Sequence, residues 1–316
     1  MDGTATDRFD ADRFEASRNR LASLAYRMLG TAADAEDVVQ DAFLHWQGAD
    51  RRRIDVPEAW LTKVVTNLCL DRLRSARARR ERTAGAWLPE PLLDGDPMLG
   101  PADTFEQRES VSLAVLTLME RLSPPERAVY LLREAFSYSH AEIAGILGMT
   151  ESTSQQHLHR ARRRITAARR RGGDVDPVSA RRIVEEFLAA ASSGRTERLM
   201  TLLTDDATAI SDGAGLTGKL LRYDTPQGIA AIAQAGFRPA LAKRRLGGTP
   251  AVHFAPVNGS PALLFALGDQ VVGVVAFDIA GGKVATVHGI AARARLARIT
   301  DAWRQHGHDT TLITRW

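Results

Sequence analysis

The stretch AEIAGILGMTESTSQQHLHRARRRI, from Ala141 to Ile165, indicates two short helices on either side of a tight turn. Apolar residues recur at helical spacing in both, and those expected to face inward are Ile143, Ile146, Leu147, Leu158, Ala161 and Ile165. Gly148 suits the turn because glycine adopts backbone conformations that other residues avoid. The second helix ends in a run of arginines. This combination is typical of a DNA-binding helix-turn-helix.

The second helix has an exposed face near its N-terminus, where such helices contact base edges in the major groove. The residues expected there are Gln155, Gln156, His159 and Arg160. Glutamine suits adenine, and arginine suits guanine or phosphate. The later arginines are better placed for phosphates, namely Arg162, Arg163 and Arg164. A solvated amphipathic helix with charged ends is the alternative, which the turn spacing and the basic end disfavour.

Two residues compete to cap this second helix. Ser152 forms a capping box if Gln155 bonds back to it, and Thr150 is the rival cap. The sequence leaves this choice open.

The overall composition is that of an ordinary soluble globular protein. Of the 316 residues, 44% are hydrophobic and 25% are charged, which suits two or three domains. The one cysteine, Cys69, cannot form an internal disulfide, which fits a reducing cytoplasm. The acidic, polar first residues do not resemble a signal peptide, and no apolar run approaches the roughly 18 residues that span a bilayer. We therefore expect a cytoplasmic protein that does not bind membranes.

Arginines cluster although the net charge is only +4. Residues 72–82 hold six arginines and one acid, and residues 160–171 hold seven arginines and no acid. Clusters of this kind mark phosphate-binding surfaces or solvated helix faces. Taken alone, they leave nucleic-acid binding open.

Residues 9–82 are predicted to be helical. In the stretch 34–47, one apolar stripe is formed by Val38, Ala42, Phe43 and Trp46. A loop over 48–57 follows, and Pro57 suits the first turn of a third helix. Trp60 in that helix could stack on a base, but burial as a core anchor is favoured because most tryptophans are largely buried.

Gly- and Pro-rich composition marks residues 83–103 as a linker. Its segment WLPEP, residues 87–91, is too apolar to prefer water, so we expect it to dock on another part of the chain. A passive spacer with an incidental tryptophan is the alternative. Helices are expected to resume over 104–121, and Ser123 ahead of two prolines and an acid is a predicted N-cap.

A different pattern follows a second linker at 172–177. Helices are predicted at about 178–193, 195–204 and 225–235. Four strands then follow as PAVHFAPV, PALLFALG, QVVGVVAFDI and KVATVHGI, joined by Asn-Gly and Gly-Gly turns. Helices followed by hairpins indicate an α+β domain. The predicted fold class is therefore two all-α domains, the second with a helix-turn-helix, followed by an α+β domain.

The succession AYRMLGTAADAEDVVQDAFLHW, PEAWLTKVVTNLCLDRLRSARARR, a linker, and LSPPERAVYLLREAF before the helix-turn-helix resembles the extracytoplasmic-function sigma factors. These are promoter-recognition subunits of bacterial RNA polymerase. The resemblance covers roughly residues 9–171. It implies a sigma domain 2 at 8–82, the linker at 83–103 and a sigma domain 4 at 104–171.

The resemblance assigns a role to each helical segment. The helix at 34–47 docks on a coiled coil of the polymerase's largest subunit through Asp37, Gln40 and Asp41. The loop and helix that follow recognise the minus-ten promoter element, with candidate contacts at Arg51, Arg52, Arg53, Lys63, Asn67, Arg72, Arg74 and Arg77. The helix-turn-helix recognises the minus-thirty-five element through Gln155, Gln156, His159, Arg160, Arg163 and Arg164.

The stretch ARRIVEEFLAAASSGRTERLMTLLTDDATAISDG resembles the start of SnoaL-like domains, whose cone-shaped α+β fold resembles nuclear transport factor 2. Such a domain is expected over 178–300. A sigma-factor subgroup carries this fusion together with a WLPEP linker. Its Asp-Gly-Gly-Gly-Lys and Asn-Pro-Asp-Lys-Leu motifs are replaced here by residues 212–216 and 292–296. The expected interdomain contacts are Trp87, Leu88, Pro89, Asp212, Gly213 and Gly215.

The sequence thus predicts a sigma factor whose C-terminal domain takes the place of a separate anti-sigma protein. The expected partners are core RNA polymerase and promoter DNA, and the cone could hold a small apolar ligand. No cofactor, metal or catalytic activity is expected, because the polar candidates Asp212, His253, Asp278 and His288 form no catalytic motif. A polymerase-independent repressor with an effector domain is the alternative, but it leaves the acidic helix at 34–47 unexplained.

Overall fold

The computed structural model describes residues 3–80, 88–100, 110–169, 175–213, 220–237, 246–305 and 311–314. The chain forms two compact units. A helical unit takes in Met1–Thr83, Gly95–Val111 and Leu118–Ala167, and an α+β unit takes in Ala84–Asp94, Ser112–Thr117 and Ala168–Trp316. Within the described residues, no helix has the length and apolar character to cross a membrane.

Seven α-helices and two 3-10 turns make up the described part of the chain before residue 170. In chain order they are α1 (Gly3–Leu29), α2 (Ala32–Gly48), a 3-10 turn (Arg51–Arg53), α3 (Pro57–Arg80), a 3-10 turn (Pro97–Leu99), α4 (Leu113–Met119), α5 (Pro124–Glu134), α6 (His140–Leu147) and α7 (Glu151–Arg169).

Side-chain caps fix where these helices begin. Ser123 caps α5 as predicted, and Glu126 completes the capping box. Ser139 and Glu142 form the same arrangement at the start of α6. Each box satisfies backbone N–H groups that have no partner within the helix. Fully buried residues of α1, α2 and α3 then pack as one core, including Leu21, Met28, Val38, Leu61 and Val65.

The α+β unit contains four helices and a seven-stranded sheet in its described residues. Its elements are α8 (Pro177–Ser192), α9 (Thr196–Leu202), β1 (Leu203–Ser211), β2 (Leu221–Tyr223), α10 (Pro226–Gly236), β3 (Ala251–Phe254), β4 (Ala262–Leu267), β5 (Gln270–Ala280), β6 (Lys283–Ile290), a 3-10 turn (Arg293–Arg295), α11 (Ala297–Gln305) and β7 (Thr311–Ile313).

The strands are ordered β2-β1-β6-β5-β4-β3-β7. Strands β1 and β6 run parallel, with Ile210 opposite His288, while the other described neighbours run antiparallel. Two hairpin turns follow the predicted Asn-Gly and Gly-Gly signals. Asn258 and Gly259 both have positive φ, and so do Gly281 and Gly282, as a tight hairpin turn requires.

Both faces of the sheet are covered. Successive side chains of a strand point to opposite sides, so each face contributes to a separate core. One core joins the sheet to the helices that precede it and includes Phe187, Leu199, Ile229 and Phe277. The second core joins the other face to α11 and to segments from the linker and α4, and includes Leu88, Leu93, Leu113, Val274 and Trp303. The predicted fold class of two helical regions followed by an α+β domain is confirmed.

Two features of the domain arrangement differ from the sequence-based prediction. The α+β unit continues past residue 300, because α11 runs to Gln305 and β7 pairs with β3. Part of α4 belongs to the α+β unit, since Leu113 lies in its core. Linker residues 88–94 also belong to that unit, and Leu88 lies in its core, in keeping with the expectation that the WLPEP segment docks on another part of the chain. Of the helix expected over 104–121, the structure describes Leu113–Met119, and residues 101–109 lie outside the described chain.

Candidate polymerase and nucleic-acid interfaces

An exposed stripe along α2 carries the acidic and amide residues of the predicted polymerase contact. Asp37, Gln40, Asp41 and Leu44 follow the spacing i, i+3, i+4, i+7, so they share one helix face. The opposite face is buried through Val38, Ala42 and Trp46. Leu44 is 58% exposed, and sequence reasoning missed it although its spacing from Asp37 places it on this stripe.

Arg72 lies against the acidic stripe of α2. Its guanidinium is 3.0 Å from Asp41, 3.5 Å from Asp37 and 3.8 Å from Asp34, and it also donates a hydrogen bond to the Asp34 carbonyl oxygen. Arg72 thus stays a predicted minus-ten contact, and in this conformation its guanidinium is paired with carboxylates of α2.

The exposed face of α3 brings together most of the other minus-ten candidates. Lys63, Asn67 and Arg74 are exposed and lie four and seven residues apart, which aligns them along the helix. Asp71 lies between them and forms an ion pair of 3.1 Å with Arg74. Arg77 lies in α3, but its side chain is outside the described part of the molecule.

The turn before α3 adds further positive charge. Arg52 and Arg53 are exposed in the 3-10 turn Arg51–Arg53, and the side chain of Arg51 is not among those described. Trp60 is half-buried and packs on Trp46 with a ring-centroid distance of 5.7 Å. This packing favours the core-anchor role over base stacking.

The helix-turn-helix is formed by α6 and α7. Gly148 has φ of +64° between them, and Thr150 accepts a hydrogen bond of 3.1 Å from the Thr153 N–H, so Thr150 is the cap of α7. The alternative box with Ser152 and Gln155 is not used. His140 and Ser154 join the two helices through a hydrogen bond of 2.8 Å.

The predicted base-reading face of α7 is exposed. Gln155, Gln156, His159 and Arg160 all face solvent, whereas Leu158, Ala161 and Ile165 are buried as predicted. Arg160 lies 3.4 Å from the amide oxygen of Gln156, so the two side chains present a joint polar surface.

The arginines at the end of α7 differ in their surroundings. Arg163 is exposed. Arg164 donates a hydrogen bond of 2.6 Å to Glu126, the buried acid of the α5 capping box. Arg162 pairs with Glu134 at 2.6 Å. Arg164 stays a predicted phosphate contact, and in this conformation it also holds α7 against α5.

Buried polar contacts join the first three helices to the helices around the helix-turn-helix. Arg127 of α5 is 3% exposed and donates a hydrogen bond of 2.7 Å to the Met28 carbonyl oxygen at the end of α1. The Tyr138 hydroxyl lies 2.9 Å from Arg20 and 3.0 Å from Thr62. The helical unit is thus one packed body in which α3 contacts α5 and α6.

The linker residues 88–94 are built into the α+β unit. Leu88, Pro89 and Glu90 are buried, with Leu88 in the second core, while Trp87 is outside the described residues. Leu92 exchanges two hydrogen bonds with Asn258 in the β3–β4 turn: its N–H donates to the side-chain oxygen at 2.8 Å, and its carbonyl accepts at 2.9 Å.

Asp94 ends this linker segment. It accepts a hydrogen bond of 2.8 Å from the Gly259 N–H. Burial raises the pKa of Asp94 above its ordinary value, and the Gly259 hydrogen bond opposes that rise. The segment therefore adds a short hydrogen-bonded strip along the β3–β4 turn.

Asp212 joins the two regions in which the sequence departs from the subgroup's motifs. It is 4% exposed, and its carboxylate accepts hydrogen bonds from the N–H groups of Ala291 at 3.0 Å and Ala292 at 2.9 Å. Gly213 follows with φ of +58°, and Gly215 lies outside the described residues. Asp212, one of the expected interdomain contacts, is thus a buried link between β1 and the chain that follows β6.

The remaining acid–base candidates of the α+β unit do not form one constellation. His253 on β3 lies 3.1 Å from the Thr311 hydroxyl and against Trp303. Asp278 on β5 lies 3.5 Å from His288 on β6. Burial raises the pKa of Asp278 to about 7 and lowers the pKa of His288 to about 4.

Comparison with known proteins identifies two sigma-factor regions in the part of the chain before residue 170. Residues 13–79 match the family model "Sigma-70 region 2", and residues 112–165 match "Sigma-70, region 4". The chain is 40% identical over 207 residues to the extracytoplasmic-function (ECF) RNA polymerase sigma factor SigJ of Mycobacterium tuberculosis, covering 65% of this chain and 66% of that protein.

Two further matches extend over most of the chain. The probable ECF RNA polymerase sigma factor SigI of Mycobacterium tuberculosis is 33% identical over 280 residues, covering 87% of this chain and 90% of that protein. The crystal structure of Mycobacterium tuberculosis SigJ superposes with a TM-score of 0.67 at 30% identity, covering 90% of this chain and 97% of the other. The similarity therefore includes the α+β unit as well as the helices.

Proposed function

Because the chain belongs to the family of extracytoplasmic-function RNA polymerase sigma factors, we propose that it directs core RNA polymerase to specific promoters through the faces described above. The acidic stripe of α2 docks on the coiled coil of the largest polymerase subunit. The exposed face of α3 and the turn before it contact the minus-ten element, and α7 contacts the minus-thirty-five element. The polymerase and minus-ten contacts belong to a sigma domain 2 at 8–82. The minus-thirty-five contact belongs to a sigma domain 4 at 104–171.

The observation that carries this proposal is the presence of two unlike exposed faces in one helical unit. A repressor needs the polar and basic face of α7 around Gln155 and Arg160, but it has no use for an acidic stripe centred on Asp37 and Leu44. Acidic and amide side chains suit an arginine-bearing partner, because charge-assisted hydrogen bonds to arginine are strong and directional. Leu44 adds an apolar contact within the same stripe.

In vitro transcription with core RNA polymerase on a promoter library tests the proposal. Full-length protein should transcribe from selected promoters, and Asp37→Arg should abolish both core binding and transcription. Glu36→Arg is the matched control, because it makes the same charge change on an exposed residue to the side of the stripe. DNA binding that persists while core binding is absent in the unsubstituted protein would favour the polymerase-independent repressor.

We further propose that the packed helical unit is a resting arrangement and that the α+β unit modulates it in place of a separate anti-sigma protein. The linker supports this role, since residues 88–94 are docked on the β3–β4 turn while residues 95–100 belong to the helical unit. Release of the docked segment would lengthen the tether between the two units. In this role the α+β unit acts without catalysis.

Comparison of full-length protein with residues 1–175 tests the modulating role. A change in transcription from the same promoter gives the sign of the effect of the α+β unit. Equal transcription and equal affinity for core polymerase would refute it. Truncation also removes the β3–β4 turn on which linker residues 88–94 dock. Asn258→Gly in the full chain is therefore the complementary variant, because it weakens this docking while the α+β unit is kept.

A further inference from the structure

The α+β unit contains a cavity of about 160 Å³ between α10 and the sheet. It lies on the face of the sheet that also packs against α8, and strands β1, β4, β5 and β6 contribute to its floor. The cavity is therefore on the opposite side of the sheet from the core that holds the docked linker.

Aromatic rings dominate the wall of the cavity. The rings that line it are Phe187, Tyr223, Phe237, Phe265 and Phe277. Phe187 and Phe277 meet edge to face with centroids 5.1 Å apart, and Phe237 and Phe265 are 5.7 Å apart. The edges and faces of these rings favour an aromatic ring as the bound molecule, because aromatic pairs prefer offset and edge-to-face contacts.

The lining carries little polarity and no charge among the residues described. The residues of the lining that carry hydroxyl groups are Ser211 at the end of β1, whose Oγ accepts a hydrogen bond of 3.1 Å from the Gly213 N–H, and Tyr223 on β2. Val287 and Gly289 both line the cavity, so His288 between them points to the other face of the sheet. A buried anion or cation would find no compensating charge here, whereas one hydroxyl of a guest could form a hydrogen bond with Ser211 or Tyr223.

The volume limits the guest to about one ring. An engineered apolar cavity of about 150 Å³ in another protein stays dry and binds benzene. The cavity described here is of similar size, so it accommodates a single six-membered ring with a small substituent.

We propose that this cavity is a binding site for an uncharged, single-ring aromatic molecule bearing one hydroxyl group. The site is defined by the five aromatic rings, the two hydroxyl side chains and the volume, and it requires no catalytic group. It adds a small-molecule input to the protein, and its occupancy can be measured without polymerase or DNA. Its failure would therefore leave the proposed sigma-factor function unaffected.

Titration of the full-length protein with p-cresol by calorimetry and by ligand-observed NMR tests the site. We expect a Kd of about 1 mM or tighter, in keeping with ligand efficiencies of molecules of this size. Toluene should bind more weakly because it lacks the hydroxyl. The anion 4-methylbenzoate should not bind, because its charge would be buried without a partner.

Ala233→Leu is the variant that fills the cavity. Ala233 lines the cavity on α10, and leucine favours a helix. Binding of p-cresol should fall at least tenfold. Ala231→Leu is the matched control, since Ala231 is exposed on the same helix and does not line the cavity. Circular dichroism and the unfolding temperature establish that both variants are folded.

Three results would overturn the proposal. The first is the absence of p-cresol binding to the unsubstituted protein at 10 mM, well above the expected Kd of about 1 mM. The second is equal binding by the Ala233→Leu and Ala231→Leu variants. The third is binding of 4-methylbenzoate as strong as that of p-cresol, because the uncharged lining cannot explain binding of an anion. This third test does not depend on whether Ala233→Leu folds.

Discussion

Arg127 and Met28 are 99 residues apart in sequence, yet the Arg127 guanidinium lies 2.7 Å from the Met28 carbonyl oxygen. The same guanidinium donates to the Met119 carbonyl oxygen at 3.1 Å and pairs with Glu120. The single buried guanidinium of Arg127 therefore donates hydrogen bonds to a carbonyl oxygen in the last turn of α1 and to one in the segment that leads into α5. Polar contacts of this kind are costly to break, because each partner is left buried without compensation.

Replacing Arg127 with methionine should destabilise the helical unit by about 3–5 kcal/mol, the usual consequence of removing one partner of a buried charged network. Urea denaturation followed by circular dichroism measures the change. Arg163→Met is the matched control and should change the free energy of unfolding by less than about 0.5 kcal/mol, because Arg163 is exposed. A similar small effect in both variants would contradict the assigned role of Arg127.

Tyr138→Phe removes the hydroxyl group that contacts Arg20 and Thr62. It should lower the free energy of unfolding by about 1 kcal/mol, the typical contribution of one hydrogen bond. If the packed helical unit is a resting arrangement, the same variant should transcribe more strongly with core polymerase at limiting concentration. Reduced transcription with unchanged core affinity would instead indicate that the contact belongs to the active form.

Asn258→Gly tests the docking of the linker. Glycine retains the positive φ of 53° at this turn but removes the oxygen that accepts from the Leu92 N–H. We expect a loss of about 1–3 kcal/mol, because a buried donor is left without its acceptor.

Limited proteolysis measures whether the linker is released in this variant. Cleavage within residues 88–94 should be faster in Asn258→Gly than in the unsubstituted protein. Equal protection in both proteins would mean that apolar burial of Leu88 and Leu93 holds the linker without the hydrogen bond.

Asp278 and His288 should give opposing pH trends in stability. Asp278 has a folded-state pKa of about 7 against an ordinary 3.8, so the free energy of unfolding falls as pH rises between these values. His288 has a folded-state pKa of about 4 against an ordinary 6.5, so the free energy of unfolding falls as pH drops through that range.

Asp278→Asn isolates one of these trends. Relative to the unsubstituted protein, its free energy of unfolding should rise by about 3 kcal/mol between pH 4.5 and pH 7, because the destabilising ionisation of Asp278 is removed. Denaturation curves at several pH values give the difference. A difference that does not change with pH would place the Asp278 carboxylate in a better solvated site.

Arg163 and Arg164 are adjacent and chemically identical, but their substitution should have different effects on DNA binding. Arg163→Ala should weaken binding to a minus-thirty-five fragment and reduce the salt slope by about 1, as loss of a phosphate contact does. Arg164→Ala should mainly reduce stability, because Glu126 loses its partner. Affinity measured over a series of salt concentrations separates the two outcomes.

Sequence patterns predicted the elements with strong periodicity or clear caps. The strand Lys283–Ile290 matches its predicted stretch, and Ser123 caps α5 as expected. The short strands β2 and β7 and the helix α11 were not predicted. A three-residue strand shows no useful alternation, and the placement of α11 depends on Trp303 packing on distant strands.

Ion pairs between residues that are distant in sequence were the main feature of the candidate sites that the sequence could not predict. The arginine-rich pattern around Arg72 and Arg164 correctly indicated positively charged helices, but it could not identify Asp41 and Glu126 as their partners. Likewise, nothing in the sequence indicated that Asp212 would bind the N–H groups of Ala291 and Ala292. Such contacts between distant segments arise only when the strands are aligned in the sheet.

The outermost strands of the sheet, β2 and β7, are each three residues long. Longer edge strands would present a row of unpaired backbone N–H and carbonyl groups, to which a strand from another molecule could add. A protein shortened to residue 300, where the sequence alone placed the domain boundary, would lose β7 and uncover β3. We expect such a fragment to self-associate, because the uncovered edge of β3 could pair with a strand of a second molecule.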